Sequence, residues 1–402
     1  MENKVEIGRG RTILVAGGGI GGLAAASSFA NLGFKVRVYE QAEDFREVGA
    51  GVQIGPNGAR ALEQLGLLPQ FGKWAWRPPA LAMRDAFTGN DIVRIPLNER
   101  FIQRFLHPYS VIHRADLLGI LLEACKAHPA VELSNSARVD AIEEIGGKVQ
   151  IRLNDGSKVD GDALIGADGL RSSVRRELIG DGNPPPPKYI VYRGVVPRDR
   201  IPDEIWSPEV VMWTGPNADF VHYPLRSGEI FNLVVTFKAS RELDPTDISG
   251  SRDEMCAPYA DFHPTVHRML DQMTPDRKWM VTDREPKRGW SRGPITLIGD
   301  AAHPMLQYMA QGACQALEDV AQLISDVTAS AGDLTPAFTT YAEKRYLRTA
   351  RVQFSARQMI EMCQVSGVLA DLRAKYFGGR TEQQLYDGVA WLYSPHQGER
   401  FA

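Results

Sequence analysis

A glycine-rich turn between two apolar segments near the N-terminus constrains the fold of this chain more than any other feature. Thr12 to Glu40 has the sequence TILVAGGGIGGLAAASSFANLGFKVRVYE, with the GxGxxG spacing at Gly17, Gly19 and Gly22. Gly17 allows a tight turn, Gly19 lets backbone approach a pyrophosphate, and Gly22 lets a helix pack against the strand. Glu40 lies 18 residues after Gly22, near the spacing of about 20 for the acid that binds a ribose 2′-hydroxyl. The segment therefore predicts a dinucleotide site.

The composition is typical of a globular protein with more than one core. At 402 residues the chain exceeds the roughly 250–300 residues over which a single core grows, so we expect two structural units. A net charge of −3 gives no electrostatic basis for binding nucleic acid, and no apolar run has the length of about 20 residues that spans a membrane. The four cysteines are far apart, which predicts no metal site and favours a reducing cytoplasm.

Two further apolar strands are each followed by a glycine turn that carries an acid. The strand predicted at 163–165 is followed by Asp168, and the strand that begins at Ile295 is followed by Asp300. Ligands of α/β sheets bind at the carboxyl ends of the strands, so both acids are candidates for contacts with a cofactor. A helix with apolar residues at helical spacing is predicted to begin near Gly312.

A different type of structure is predicted after the prolines at 184–187. The runs KYIVYRGVV, EVVMWTG, DFVHYPL and IFNLVVTFK are short and rich in β-branched and aromatic residues, which predicts an antiparallel sheet. The period of two along a strand puts Asp219 and Tyr223 on one face and His222 on the other. We therefore expect Asp219 and Tyr223 to face the same pocket, and His222 to have a structural role.

Three separated motifs occur together in this chain: GGGIGG followed by Glu40, GADGLRSSVR at 166–175 and GDAAHP at 299–304. The combination resembles the single-component FAD-dependent aromatic hydroxylases, and the resemblance extends over essentially the whole chain. The segments HYPLR, DREP and QYMAQGACQALED are most similar to those of 3-hydroxybenzoate 6-hydroxylases. Salicylate 1-hydroxylases and 6-hydroxynicotinate 3-monooxygenases are near relatives.

The resemblance implies an α/β fold in which a Rossmann-like FAD-binding domain carries an inserted antiparallel β-sheet substrate domain and is followed by C-terminal helices. The FAD-binding domain is expected in three parts, at 1–75, 106–182 and 285–355. The substrate domain is expected over 76–105 and 183–284, and the C-terminal helices over 356–402.

The resemblance also implies that FAD is bound and that NADH or NADPH binds transiently to reduce it. The residues that it assigns to FAD are Gly17, Gly19, Gly22, Glu40, Gln41, Gly51, Val52, Arg114, Asp168, Asp300, Gly312 and Ala313. Asp300 would bind the ribityl chain, and Asp168 would serve both FAD and the nicotinamide cofactor. The positive N-terminus of the helix that begins at Gly312 would face the flavin.

The implied reaction is hydroxylation of an electron-rich aromatic acid with NAD(P)H and O₂ through a flavin C4a-hydroperoxide, and 3-hydroxybenzoate would give gentisate. The resemblance assigns Gln307 and Tyr223 to the phenol end of the substrate and Pro304 to the wall of its site. Where these relatives are expected to carry His, this chain has Asp219. Asp219 could act as the base if burial raises its pKa, or it could fix the hydroxyl while water or a relay takes the proton. His222 stays open as a second candidate for the base.

Three further questions stay open in the sequence. Backbone amides, Arg193 and Arg226 are all candidates for binding the substrate carboxylate. The substrate could be salicylate or 6-hydroxynicotinate, and a flavin-binding sensor without turnover is the alternative from another functional class. The chain is expected to act as a monomer or a homodimer.

Overall fold

The computed structural model describes residues 7–45, 49–244 and 246–395. In chain order, its strands are β1 (Thr12–Ala16), β2 (Lys35–Tyr39), β3 (Gly51–Ile54), β4 (Ala80–Asp85), β5 (Asp91–Pro96), β6 (Ser110–His113), β7 (Val131–Ser134), β8 (Val139–Ile145), β9 (Lys148–Leu153), β10 (Lys158–Gly161), β11 (Ala163–Gly166), β12 (Tyr189–Pro197), β13 (Val210–Gly215), β14 (Ala218–Leu225), β15 (Ile230–Lys238), β16 (Trp279–Val281), β17 (Ser291–Arg292) and β18 (Ile295–Leu297). Its helices are α1 (Ile20–Asn31), α2 (Pro56–Gln64), α3 (Leu68–Gly72), α4 (Glu99–Phe105), α5 (Arg114–Lys126), α6 (Ser173–Ile179), α7 (Arg252–Cys256), α8 (Pro264–Leu270), α9 (Gly312–Ala329), α10 (Leu334–Cys363), α11 (Val368–Phe377) and α12 (Glu382–Tyr393).

The first sheet has the strand order β17-β18-β11-β1-β2-β7 and is parallel except where β17 joins its edge. β1 lies inside this sheet, and Ile13, Leu14 and Val15 are fully buried. Such a continuous apolar strand is typical of a parallel sheet, which packs on both faces. The GxGxxG turn connects β1 to α1, so it lies at the carboxyl end of an interior strand.

The second sheet has the strand order β16-β12-β15-β14-β13-β4-β5. Neighbouring strands are antiparallel, as predicted, except for β13 and β4, which are parallel. The exception arises because β4 comes from the segment between β3 and β6, and therefore enters beside β13 without a hairpin.

The two faces of the second sheet meet different parts of the molecule. One face carries Phe220 and Leu233, which belong to a core shared with Met255 of α7 and Val266 of α8. Asp219 and its alternate neighbours along β14 lie on the opposite face, which we call the inward face. The inward face is turned toward β3 and α10, where the contacts described below are made.

The remaining elements connect these two sheets. Strands β8, β9 and β10 form a separate small sheet, and β3 pairs with β6. Helix α9 begins at Gly312, as the helical spacing predicted, and α10 follows it. Over the described ranges, none of the helices has both the length and the apolar character that crossing a membrane requires.

Candidate active site

The glycine turn after β1 has a conformation that depends on its glycines. Gly17 has a φ of +103°, and a Cβ there would lie 2.3 Å from the carbonyl oxygen of Ala167. A Cβ on Gly22 would lie 1.9 Å from the carbonyl oxygen of Gly17. At Gly19, in contrast, no atom lies within 4 Å of the corresponding position. Gly19 precedes α1, which has no side-chain cap, so its first N–H groups are available to a phosphate.

Glu40 lies directly after β2, where the sequence predicts the ribose-binding acid. Its Oε2 accepts a hydrogen bond from the N–H of Gly18 at 2.7 Å, and its Oε1 accepts one from the N–H of Ala42 at 2.9 Å. A carboxylate has about four acceptor positions, so Glu40 retains the capacity to bind ribose hydroxyls. Gln41, the next residue, is exposed.

Asp168 is engaged in a local role that the sequence analysis did not anticipate. Its carboxylate accepts hydrogen bonds from the N–H of Ser173 at 2.7 Å and from the Ser173 hydroxyl at 2.9 Å. The hydroxyl of Ser172 also donates to it. A carboxylate is favourable at the N-terminus of a helix, so Asp168 stabilises the start of α6 and fixes the turn beside Gly17.

Asp300 lies next to the start of α9. Its Oδ1 is 3.9 Å from the position that a Cβ on Gly312 would occupy. The residue has an exposed surface, but many protein atoms surround its carboxyl group. The resulting loss of hydration raises the pKa of Asp300, whereas nearby His303 and Arg114 lower it. Helix α9 has no side-chain cap, so the N–H groups of its first turn, including that of Ala313, adjoin the same space.

A buried network of charges supports the turn after β18, and the sequence analysis missed it. The carboxylate of Asp319 binds His303 Nε2 at 2.5 Å and accepts a hydrogen bond from the N–H of Gly299 at 2.8 Å. Arg345 donates to Asp319 at 2.8 Å and to Glu318 at 2.5 Å. The network joins the turn to α9 and α10 and holds the His303 ring in place. No local pattern reveals it, because Arg345 and Asp319 are 26 residues apart.

Strand β3 brings its first residue against the inward face of the second sheet. The N–H of Gly51 donates to Oδ1 of Asn232 at 2.7 Å. A Cβ on Gly51 would lie 2.6 Å from the hydroxyl of Tyr223, so only glycine permits this approach. Val52 is half-buried beside it, and Arg114 follows β6, the strand that pairs with β3. Residues expected to bind the cofactor are therefore next to Tyr223, which is expected to bind the substrate.

Gln307 contacts the opposite end of the inward face from Tyr223, so the structure does not bring together the two residues that the resemblance assigned to the phenol end. Its Nε2 donates to the hydroxyl of Thr236 at 2.7 Å, and Thr236 is paired with Asp219 in the sheet. Pro304 is buried just before this contact, and its carbonyl oxygen accepts a hydrogen bond from Nε2 of Gln353 at 2.8 Å. The bond attaches the loop that carries Gln307 to α10.

Asp219 is a buried carboxylate with two side-chain donors. Its Oδ2 accepts hydrogen bonds from the Tyr308 hydroxyl at 2.6 Å and from Gln364 Nε2 at 2.8 Å. The side chain is 1% exposed, and burial raises its pKa from 3.8 to about 6, although both hydrogen bonds oppose the rise. Asp219 is therefore a stronger base than an ordinary aspartate and changes its charge near neutral pH.

His222 lies on the opposite face of the sheet from Asp219. Its Nε2 accepts a hydrogen bond from Nε1 of Trp213 at 3.0 Å, within the core that α7 and α8 cover. Burial lowers the pKa of His222 to about 3, so the ring is neutral at physiological pH. His222 is therefore separated from the inward face, where β14 carries two titratable groups, Asp219 and Tyr223. Burial raises the pKa of the Tyr223 hydroxyl, so Asp219 is the one of the two that is ionised near neutral pH.

The sequence matches the family described as FAD binding domain over residues 11–353. The chain belongs to this FAD-binding family. It is 40% identical to the 3-hydroxybenzoate 6-hydroxylase of Klebsiella oxytoca over 94% of this chain and 96% of that protein. The 3-hydroxybenzoate 6-hydroxylase of Polaromonas naphthalenivorans (strain CJ2) is also 40% identical, over 97% of both chains. The chain is accordingly an FAD-dependent monooxygenase of the aromatic hydroxylase family.

A solved structure has the same fold as this flavoprotein. Klebsiella pneumoniae HpxO, complexed with FAD and uric acid, superimposes with a TM-score of 0.83 over 98% of this chain and 100% of that chain. The two sequences are 24% identical, so the likeness concerns the fold.

The geometry of the glycine turn fits the FAD that this family binds. Protein backbone packs tightly against Gly17 and Gly22, whereas the space beside Gly19 is empty of protein atoms, so a pyrophosphate could approach the backbone there. Helices α1 and α9 both begin without side-chain caps, so the N–H groups of each first turn are available to an electron-rich ligand.

Proposed function

We propose that this enzyme hydroxylates 3-hydroxybenzoate para to its hydroxyl group, which yields gentisate, and that NADH and O₂ are its cosubstrates. The names of the two bacterial relatives support this substrate and this position. The observation that carries the proposal is the arrangement along β14. Asp219 lies buried at one end of the inward face, Tyr223 lies buried toward the other, and Val221 lies between them.

The distance between these polar ends suits a small aromatic acid. Asp219 and Tyr223 are four positions apart on one strand, which corresponds to about 14 Å at about 3.4 Å per residue. After a hydrogen bond of about 3 Å is allowed at each end, the span accommodates a benzene ring with a polar group on either side. Val221 and the paired Val234 provide an apolar surface for the ring.

The cofactor contacts remain part of the proposal. Gly17, Gly19, Gly22 and Glu40 would hold the adenosine diphosphate half of FAD, and Asp300 with the start of α9 would hold the flavin half. When bound, FAD takes electrons from NADH and supplies the oxygen chemistry. The chain's own task is to exclude water, orient the phenol and remove its proton.

We assign the phenol proton to Asp219 by way of Tyr308. The Tyr308 hydroxyl already donates to Asp219, so its oxygen can accept the substrate proton while its own proton passes to the carboxylate. The phenol becomes a phenolate, Tyr308 stays neutral and Asp219 becomes a neutral acid. Gln307, which is fixed by Thr236, would orient the substrate at this end. Loss of the phenol proton raises the electron density of the ring carbons ortho and para to the oxygen.

The test is NADH oxidation and O₂ uptake by the FAD-loaded protein with 3-hydroxybenzoate, salicylate, 4-hydroxybenzoate and 6-hydroxynicotinate, with each product identified. We expect 3-hydroxybenzoate to give close to one gentisate per NADH, and its isomer 4-hydroxybenzoate to give little product. If only one of the other acids gave a product, that acid would replace 3-hydroxybenzoate as the proposed substrate. NADH oxidation that no acid affects would favour the sensor alternative.

A further inference from the structure

We propose that Arg193 binds the carboxylate of the aromatic substrate and selects acids over neutral phenols. The inference rests on the function proposed above and deepens it. It selects Arg193 over Arg226 among the candidates that the sequence left open.

Strand register puts Arg193 at the centre of the inward face. Arg193 on β12 is paired with Val234 on β15, and Val234 is paired with Val221 on β14. Val221 lies midway between Asp219 and Tyr223, so Arg193 is level with the apolar surface proposed for the ring. Paired residues share a face of the sheet, so Arg193 emerges on the side of the pocket.

The surroundings of Arg193 suit recognition of a carboxylate. Its guanidinium lies 5.4 Å from the centre of the Trp279 ring, and the residue is half-buried. Stacking uses the flat face of a guanidinium, whereas a carboxylate binds along its N–H edge, so the two interactions are compatible. Burial raises the pKa of Tyr223, and the positive charge of Arg193 opposes that rise. Arg193 is therefore close enough to act electrostatically on groups at the Tyr223 end of the inward face.

The position of Arg226, the other candidate cation, is set by an ion pair outside the inward face. Arg226 follows β14 and donates two hydrogen bonds to Asp116, at 2.7 and 2.9 Å. Lys238, the last residue of β15, is exposed at the end of the sheet. Among the described residues of β12, β14 and β15, Arg193 is therefore the cation placed in the middle of the inward face.

Charge also fixes the orientation of the substrate. Near neutral pH, ionised Asp219 repels a carboxylate, whereas Arg193 attracts it. The acid group is therefore directed to Arg193 and the hydroxyl group to Asp219, where its proton is removed. A neutral phenol gains nothing from Arg193, so its affinity depends on the remaining contacts.

The test compares Arg193→Met with Arg277→Met. Arg277 is exposed and lies over the same Trp279 ring at 5.5 Å, so its replacement is the matched control for stacking. Calorimetry of the FAD-loaded proteins would give dissociation constants for 3-hydroxybenzoate and for 3-hydroxybenzamide, its neutral counterpart. We expect Arg193→Met to weaken binding of the acid about 30-fold or more, as for loss of a buried ion-pair partner. The amide should change less than about threefold, Arg193→Lys should restore part of the acid affinity, and the control should match the wild type.

Two results would overturn the inference. One is unchanged acid binding by Arg193→Met, and the other is an equal loss for acid and amide, which would indicate a structural role for Arg193. In both cases, gentisate formation by the wild type would leave the proposed function intact. If the wild type bound no aromatic acid, both proposals would fall. If Arg193→Met lost its FAD, Arg193→Lys and Arg193→Gln would be measured instead. A ratio of acid to amide affinity equal to that of the wild type in both variants would again reject the inference.

Discussion

The hydroxyl group of Tyr308 donates a hydrogen bond to Oδ2 of Asp219 at a distance of 2.6 Å. Gln364 Nε2 donates to the same oxygen at 2.8 Å and to the Tyr308 hydroxyl at 3.0 Å. Because both donors meet one oxygen of the carboxylate, the amide oxygen of an asparagine at position 219 could accept both bonds. Asp219→Asn therefore removes the charge while it retains the local contacts.

Asp219→Asn should lower kcat/KM for 3-hydroxybenzoate by about 100-fold, within the usual contribution of a general base. In the wild type only ionised Asp219 can take the proton, so kcat/KM should fall as the pH drops below about 6. The variant has no such group and should lack this acidic limb. Profiles of kcat/KM from pH 5 to 9 for the two proteins check this, and superimposable profiles would remove Asp219 from proton transfer.

Tyr308→Phe separates a relay through Tyr308 from direct transfer to Asp219. The substitution removes the hydroxyl that donates to Asp219 but leaves the Gln364 bond to the same carboxylate. If the proton passes through Tyr308, the variant should lose activity to about the same extent as Asp219→Asn while its FAD content stays normal. Full activity in Tyr308→Phe would mean that the phenol reaches Asp219 directly.

The raised pKa of Asp219 also predicts how stability changes with pH. The folded state holds the proton up to about pH 6, whereas an unfolded aspartate releases it near 3.8, so stability falls as the pH rises through this window. Tyr259, Tyr308 and Cys363 all lie close enough to Asp219 to feel its charge. Burial first and then that charge raise the pKa of each, so all three stay neutral in this window. At pH 8, Asp219→Asn should be the more stable protein by up to about 3 kcal/mol, at about 1.4 kcal/mol per pKa unit.

Urea unfolding of Asp219→Asn and the wild type at pH 4.5 and pH 8 measures this effect. The quantity of interest is the difference between the two proteins, because other groups titrate equally in both. A difference that does not grow with pH would show that Asp219 is not destabilised in its charged form.

Gln307→Ala should uncouple NADH oxidation from hydroxylation. The residue lies over the Asp219 end of the inward face and is held there by its hydrogen bond to Thr236. Without it the phenol is less well oriented, so the gentisate formed per NADH should fall several-fold, a change of about 1 kcal/mol in competing barriers. Thr236→Val is the matched control for the anchoring bond and should show a smaller loss in the same direction. Unchanged coupling in Gln307→Ala would exclude it from the site, and FAD content should stay normal throughout.

The sequence predicted those parts of the site that depend on local pattern. Gly17, Gly19 and Gly22 act within one turn, and the period of two along β14 put Asp219 and His222 on opposite faces. The conformation of the turn and the two faces of β14 are as predicted, because backbone sterics and strand geometry determine them within a few residues. The contact of the three glycines with FAD stays a prediction.

The partners of Asp219 could not be predicted, because they come from distant segments. Tyr308 is 89 residues and Gln364 is 145 residues from Asp219, and no local periodicity relates such positions. Thr236 could have been found, because the alternation along β15 puts it on the inward face opposite Asp219. The hydrogen bonds from Ser173 to Asp168 at the start of α6 were missed, although the sequence SSVR could have suggested such a capping role. The contact of Asp168 with cofactors stays a prediction.

Gly19→Ala and Gly22→Ala should fail in different ways. A Cβ on Gly22 would lie 1.9 Å from the carbonyl oxygen of Gly17, so this variant should unfold or lose FAD entirely. A Cβ on Gly19 meets no atom within 4 Å, so the protein should fold with a normal thermal midpoint in the absence of FAD. The dissociation constant of Gly19→Ala for FAD should rise about tenfold or more, a cost of about 1.4 kcal/mol, because the methyl group occupies the approach to the pyrophosphate.

Gly119→Ala, at another open position on α5, is the control for Gly19→Ala and should bind FAD normally. Normal FAD affinity in Gly19→Ala would mean that the pyrophosphate does not approach this turn.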